Sequence, residues 1–169
     1  MKALRALSAL TLACTAACVT FRVAIEDRLP PSVIRVLREP ESLEILTLDP
    51  LPIEARGPAR RTVPAEREFN GFEIREHVPL RKRDERHELV ALVFKGILES
   101  DGSAKAGFSP SLGLRAVREG QVVDLLMCYD CQQIDVIASA NVTHIRTASN
   151  VASDIEALFR KHGLAVKTP

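Results

Sequence analysis

Cys128 and Cys131 stand in a Cys-Tyr-Asp-Cys segment, a spacing that serves disulfide catalysts, structural disulfides and half of a zinc knuckle. Each use makes its own demand on the neighbouring chain. A disulfide needs Cα atoms within about 7 Å and converging Cβ vectors, whereas residues three apart in a straight strand point to opposite faces. The chain must therefore bend at the pair, and Gln132-Gln133, poor strand residues, permit a bend. A thiol catalyst sets its first cysteine at a helix N-terminus, which lowers the thiolate pKa; here strand-like residues 122–127 precede the pair and 134–138 follow it. A tetrahedral zinc site needs two further ligands, and there is no second Cys-x-x-Cys and no pair of histidines at ligand spacing. His144 is a single histidine that a hairpin could bring near, and His77 and His87 read as solvated. The residues leave a structural disulfide, buried thiols and thiol or metal chemistry at Cys128 and Cys131 as open uses. They supply no catalytic set, no metal set and no reason to expect a cofactor.

The elements around the pair follow from alternation. Residues 112–117 put Leu112, Leu114 and Ala116 on one face. Arg118-Glu119-Gly120-Gln121 is polar, and Gly120 can take the positive φ of a tight reversal. Residues 122–127 are apolar on both faces except for Asp124, which predicts a central strand covered on both sides. A buried unpaired carboxylate is costly, so Asp124 must reach a rim or meet a donor. A cleft gathering Asp124, Arg115 and Cys128 would favour an enzyme.

Upstream, residues 32–38 predict two helical turns after Pro30-Pro31, with Pro31 suited to the first turn. Residues 43–48 alternate Leu43, Ile45 and Thr47 against Glu44, Leu46 and Leu48. Residues 51–67 carry several prolines and arginines without an apolar period and read as a solvated connection. Residues 69–78 alternate as one half-exposed strand. Residues 82–100 predict the strongest helix, with Leu89, Leu92, Val93 and Gly96 on a broad apolar arc. Residues 142–147 give a last strand, and a final helix, capped by Ser149 or Asn150, carries Val151, Ile155, Leu158 and Phe159. The fold expected is α+β: an antiparallel sheet of four or five strands with two main helices packed on it, spanning 43–169 as one domain.

The N-terminus carries different information. Lys2 and Arg5 precede an apolar and small-residue run over 6–17, shorter than the about 20 residues a membrane-spanning helix needs and laid out as a secretory signal. It ends in Thr15-Ala16-Ala17-Cys18. This resembles the bacterial lipoprotein signal peptide, cleaved before a cysteine that is then lipidated. Thr15 stands where leucine is usual, and Cys14 fits less well because Leu12 occupies a small-residue position. The resemblance implies a signal peptide at 1–17, lipidation of Cys18, a tether and short helix over 18–42, and attachment to a membrane at the periplasmic face of a bacterial envelope. An ordinary cleaved signal, leaving a soluble periplasmic protein, is the alternative.

Phe108, Pro110, Gly113, Leu114, Arg115, Asp124, Leu125, Cys128 and Cys131 together carry a second resemblance. They are similar to an uncharacterised family of bacterial envelope proteins with Cys-Phe-x-Pro-x-His-Gly-Ile/Leu-Arg, a hairpin, and Asp-Leu-x-x-Cys-Phe-x-Cys. This implies a shared fold over the C-terminal two-thirds and no known activity. Gly107 and Leu112 stand where that pattern has cysteine and histidine, so chemistry needing those two groups would be lost here.

Composition bounds the function. The 169 residues are 46% hydrophobic and 27% charged with a net charge of +1, values of one globular domain. There is no basic patch and, with no Trp and one Tyr, little aromatic stacking surface, so nucleic acid is not an expected partner. No phosphate loop, nucleophile elbow or paired-carboxylate motif appears. The expectation is a non-catalytic binding or structural module anchored to the envelope membrane; the alternative is a periplasmic thiol/disulfide or metal-binding protein using Cys128 and Cys131.

Overall fold

A computed structural model of the chain describes residues 25–57, 63–103, 105 and 107–166. Cys14, Cys18 and the signal and lipidation assignments lie outside these residues.

Among the described residues seven strands form one antiparallel sheet: β1 (Ser42–Leu48), β2 (Glu68–Phe69), β3 (Phe72–Pro79), β4 (Leu112–Arg118), β5 (Gln121–Cys128), β6 (Gln133–Ala138) and β7 (Asn141–Arg146). Their order across the sheet is β2-β3-β1-β4-β5-β6-β7. Among the described residues three complete helices accompany them: α1 (Pro31–Arg38), α2 (Arg83–Leu98) and α3 (Ala152–Lys161). The fold is thus α+β, but the expected four or five strands and two main helices are corrected to a curled seven-stranded sheet with three short helices.

The six strand-like stretches 43–48, 69–78, 112–117, 122–127, 134–138 and 142–147 all join the one sheet, and two local causes supply the seventh strand and the third helix. The alternating stretch 69–78 is not one strand, because Asn70 and Gly71 take positive φ (49° and 87°) and turn the chain back on itself. An Asn-Gly pair with both residues left-handed is the favoured two-residue hairpin turn, and Phe69 faces Phe72 across it. The eight-residue α1 buries Val33, Ile34, Val36 and Leu37 and sends Arg35 outward, so it packs on the sheet as a full element.

Alternation sorts the strand residues into two faces. Leu43 and Ile45 of β1, Leu114 and Ala116 of β4, and Leu125 and Met127 of β5 join Leu37, Leu89, Ile97, Ile155 and Phe159 of the helices in the main core. On the opposite face Leu46, Leu48, Phe69, Phe72 and Leu126 form a second, smaller cluster. The β2–β3 hairpin closes that cluster by laying Phe69 over Gly113, where an added Cβ would stand 3.0 Å from Phe69 Cε1. Burial on both faces of β5 agrees with the central position expected for it.

Asp124 meets the donors its burial requires. Arg115 donates to it through Nε and Nη2, both at 2.8 Å, and the Asn70 side chain donates at 2.9 Å. Arg115 also stacks on Phe69, its guanidinium carbon 5.1 Å from the ring centre. The hydrogen-bonded Asp124 carboxylate outweighs partial burial and raises the Arg115 pKa above its ordinary value.

Candidate functional site

β5 runs out at Cys128, and the chain turns through Tyr129–Gln132, with Gln132 left-handed at φ 56°. The turn brings the Cα atoms of Cys128 and Cys131 to 5.2 Å, and the two sulfurs are bonded as a disulfide. The bend required of this segment is therefore present, and of the uses open to the pair it adopts the disulfide. The Cys131 N–H donates to Cys128 Sγ at 3.3 Å, and Cys131 Sγ lies 3.0 Å from the Gly107 carbonyl oxygen. The Lys105 N–H donates to the Cys131 carbonyl at 3.2 Å, which fastens the segment before β4 onto the disulfide turn. Tyr129, between the cysteines, is buried in the main core with its hydroxyl against Met127 Sδ at 3.6 Å. Burial pushes its phenol pKa well up.

The disulfide forms part of the wall of a cleft of about 500 Å³ at the open end of the sheet. Thr47 and Leu48 close β1 on one side, Leu112 opens β4, and Ala165 and Val166 come from the chain after α3. That segment is held by the Ala165 N–H, which donates to Glu76 at 2.7 Å. Arg75 reaches the rim from β3 and is paired with Asp49 at 3.2 Å. Burial opposes ionisation of Asp49, but the Leu51 N–H, Arg75 and Arg56 outweigh it and hold the carboxyl below the usual range.

Not all the sequence candidates meet here. Cys128 and Cys131 line the cleft, as do Gly107 and Leu112, the two positions at which the envelope-family pattern has cysteine and histidine. Arg115 and Asp124 do not line it; they lie on the second face of the sheet, so the gathering that would favour an enzyme is not formed. His144 is largely exposed and its Nδ1 lies 2.7 Å from Asp135, which Gln133 also holds at 2.8 Å. His77 is exposed beside Glu44, and His87 is exposed. Among the described residues no group of three or more His, Cys, Asp or Glu is placed to hold a metal ion.

Thr47 was not among the candidates. It is 3% exposed, and its hydroxyl has no hydrogen-bond partner among protein atoms. Its signal in the sequence is that it is the one polar residue on the apolar face of the Leu43, Ile45, Thr47 alternation. Lys105 and Asp130, also at the cleft, carried no sequence signal.

The cross-link predicts a defined loss. Replacing Cys128 and Cys131 together by serine frees a short loop, for which chain entropy gives a destabilisation of about 1–2 kcal/mol. A urea midpoint unchanged from the oxidised wild type would show that the bond contributes no stability.

Comparison with protein-family models, with curated proteins and with solved structures gives no match.

Proposed function

We propose that this chain is an envelope lipoprotein, attached to a membrane through lipid on Cys18, whose folded domain is a non-catalytic binding module. The observation that carries the reading is the Cys128–Cys131 disulfide in the cleft wall. Disulfides persist in oxidising, extracytoplasmic compartments and are rare in the cytosol, which agrees with the export signal over 1–17. The sulfurs belong to residues only 4% and 6% exposed, an arrangement suited to a clamp and poorly suited to attack by an incoming thiolate. The cleft remains as the feature that can receive a ligand: a concave site of ordinary small-molecule size with an apolar wall and a polar rim.

Among the described residues no helix is long and apolar enough to cross a membrane. Cys18→Ser is expected to move the protein from the membrane fraction to the soluble fraction of native cells, with metabolic labelling by palmitate lost in parallel. Unchanged membrane association, or palmitate retained in the variant, would sink the anchor assignment.

A further inference from the structure

The cleft bears a more specific chemistry than a generic pocket. Its inner wall is apolar, from Leu48, Leu112 and the disulfide. Thr47 of β1 is part of that wall, and its Oγ1 lies buried just beneath the surface, met by no protein group. A buried polar atom without a partner carries a desolvation penalty, and native structures rarely leave one without a role. Thr47 sits on the core-facing side of β1, where valine has the same shape and no penalty, so folding alone does not account for a threonine there. The rim adds two charges of opposite sign, Lys105 and Asp130. Neither side chain has an ion-pair partner among the described residues, whereas the other rim charges are engaged, Arg75 with Asp49 and Glu156 with Arg160.

We propose that this cleft binds a zwitterionic ligand of the amino-acid or dipeptide class. Lys105 receives the carboxylate, Asp130 receives the ammonium group, and Thr47 hydrogen-bonds a polar atom of the ligand's interior end. The apolar wall accommodates a small aliphatic side chain. A volume of about 500 Å³ lies within the range of small-ligand sites and is ample for a dipeptide. This names the ligand of the binding-module reading and rests on it, but it does not rest on the anchor.

The test is calorimetric titration of the full-length protein in detergent with four dipeptides: alanyl-alanine, alanyl-leucine, alanyl-lysine and alanyl-glutamate. At least one is expected to bind saturably, and N-acetyl-alanyl-alanine amide, which lacks both charges, is expected not to bind. Lys105→Gln and Asp130→Asn should each weaken the bound dipeptide about tenfold, the loss of one charged contact. Thr47→Val should weaken it about tenfold while raising the melting temperature by about 2 °C, a combination that a structural threonine would not give. Silence with all four dipeptides, or equal binding of the uncharged one, overturns the ligand class and leaves the anchored module standing. Binding that Thr47→Val leaves unchanged removes Thr47 from the site. Hydrolysis of a dipeptide during the titration would instead overturn the non-catalytic reading and leave the ligand class intact.

Discussion

Arg115→Ala is expected to destabilise the domain by about 3 kcal/mol, the scale of a buried carboxylate stripped of its cation. Asp124 has a side chain only 8% exposed, while Arg115 is 42% exposed. The two partners are therefore not equivalent. Removing Arg115 leaves a carboxylate inside the curled sheet with the Asn70 amide as its remaining side-chain donor, and also removes the cation stacked on Phe69. Removing the carboxylate by Asp124→Asn leaves a guanidinium that can turn to water, and a loss nearer 1 kcal/mol is expected. Replacing the pair together by Arg115→Met and Asp124→Leu should recover most of the Arg115→Ala loss, because apolar residues of similar volume carry no desolvation penalty. Urea denaturation of the four proteins at constant m-value reads all of this. Equal losses for Arg115→Ala and Asp124→Asn would refute the account from burial.

Gly96→Ala should be destabilising by about 2–3 kcal/mol, against the sign of helix propensity, which favours alanine over glycine by about 1 kcal/mol. Gly96 lies where α2 crosses the chain between β7 and α3, and its carbonyl accepts a hydrogen bond from the Ala148 N–H at 2.8 Å. A Cβ at this position would stand 2.6 Å from Thr147 Oγ1 and 2.9 Å from Val151 Cγ2. Both belong to short, branched side chains with no long stem to swing aside. The contact can be relieved only by backing α2 away, which opens the main core. Thr147→Ala in the Gly96→Ala background removes the nearer obstacle, so the two substitutions should be less damaging together than their separate effects imply. Thermal melts decide it: a rise in midpoint for Gly96→Ala alone would mean that propensity outweighs packing.

The extent to which the sequence exposed this architecture varied with the range of the forces involved. Alternation over 43–48 and 112–117 sorted the residues of β1 and β4 into the two sets that the structure places on opposite faces, and the two-sided apolar run 122–127 marked β5 as central, because a strand's side-chain period is a property of the strand itself. The need of Asp124 for a donor was legible from its type in an apolar run. Its partner was not named, although a two-residue turn at Glu119-Gly120 pairs Arg118 with Gln121 and so Arg115 with Asp124; the turn's exact length had to be known first. The Asn70-Gly71 reversal stayed hidden because the apolar phenylalanines on either side sit in an alternating stretch that reads as one continuous strand. The weight of α1 was missed because eight residues make a marginal helix alone and its stability comes from the sheet beneath it. At the cleft, the cysteine spacing marked one wall. Thr47, Lys105 and Asp130 are brought together by tertiary structure alone, and no local pattern connects them.

The place of β1 in the sheet also sets the order in which the chain can assemble. Ser42–Leu48 is the first strand among the described residues, yet it is flanked by β3 and β4, and its Ser42–Val117 register joins residues from opposite ends of the intervening chain. Until β4 is available, β1 has one flank open and the helices have half a surface to settle on. Closing so long a loop carries its entropy before the contacts that reward it form. The meander β4–β7, by contrast, is joined by short turns and can zip locally. The topology thus predicts that β1 can pair with β3 early but gains its second flank only when β4 is present, a late non-local step that would show as low protection of Ser42–Leu48 amides in pulse-labelled hydrogen exchange during refolding.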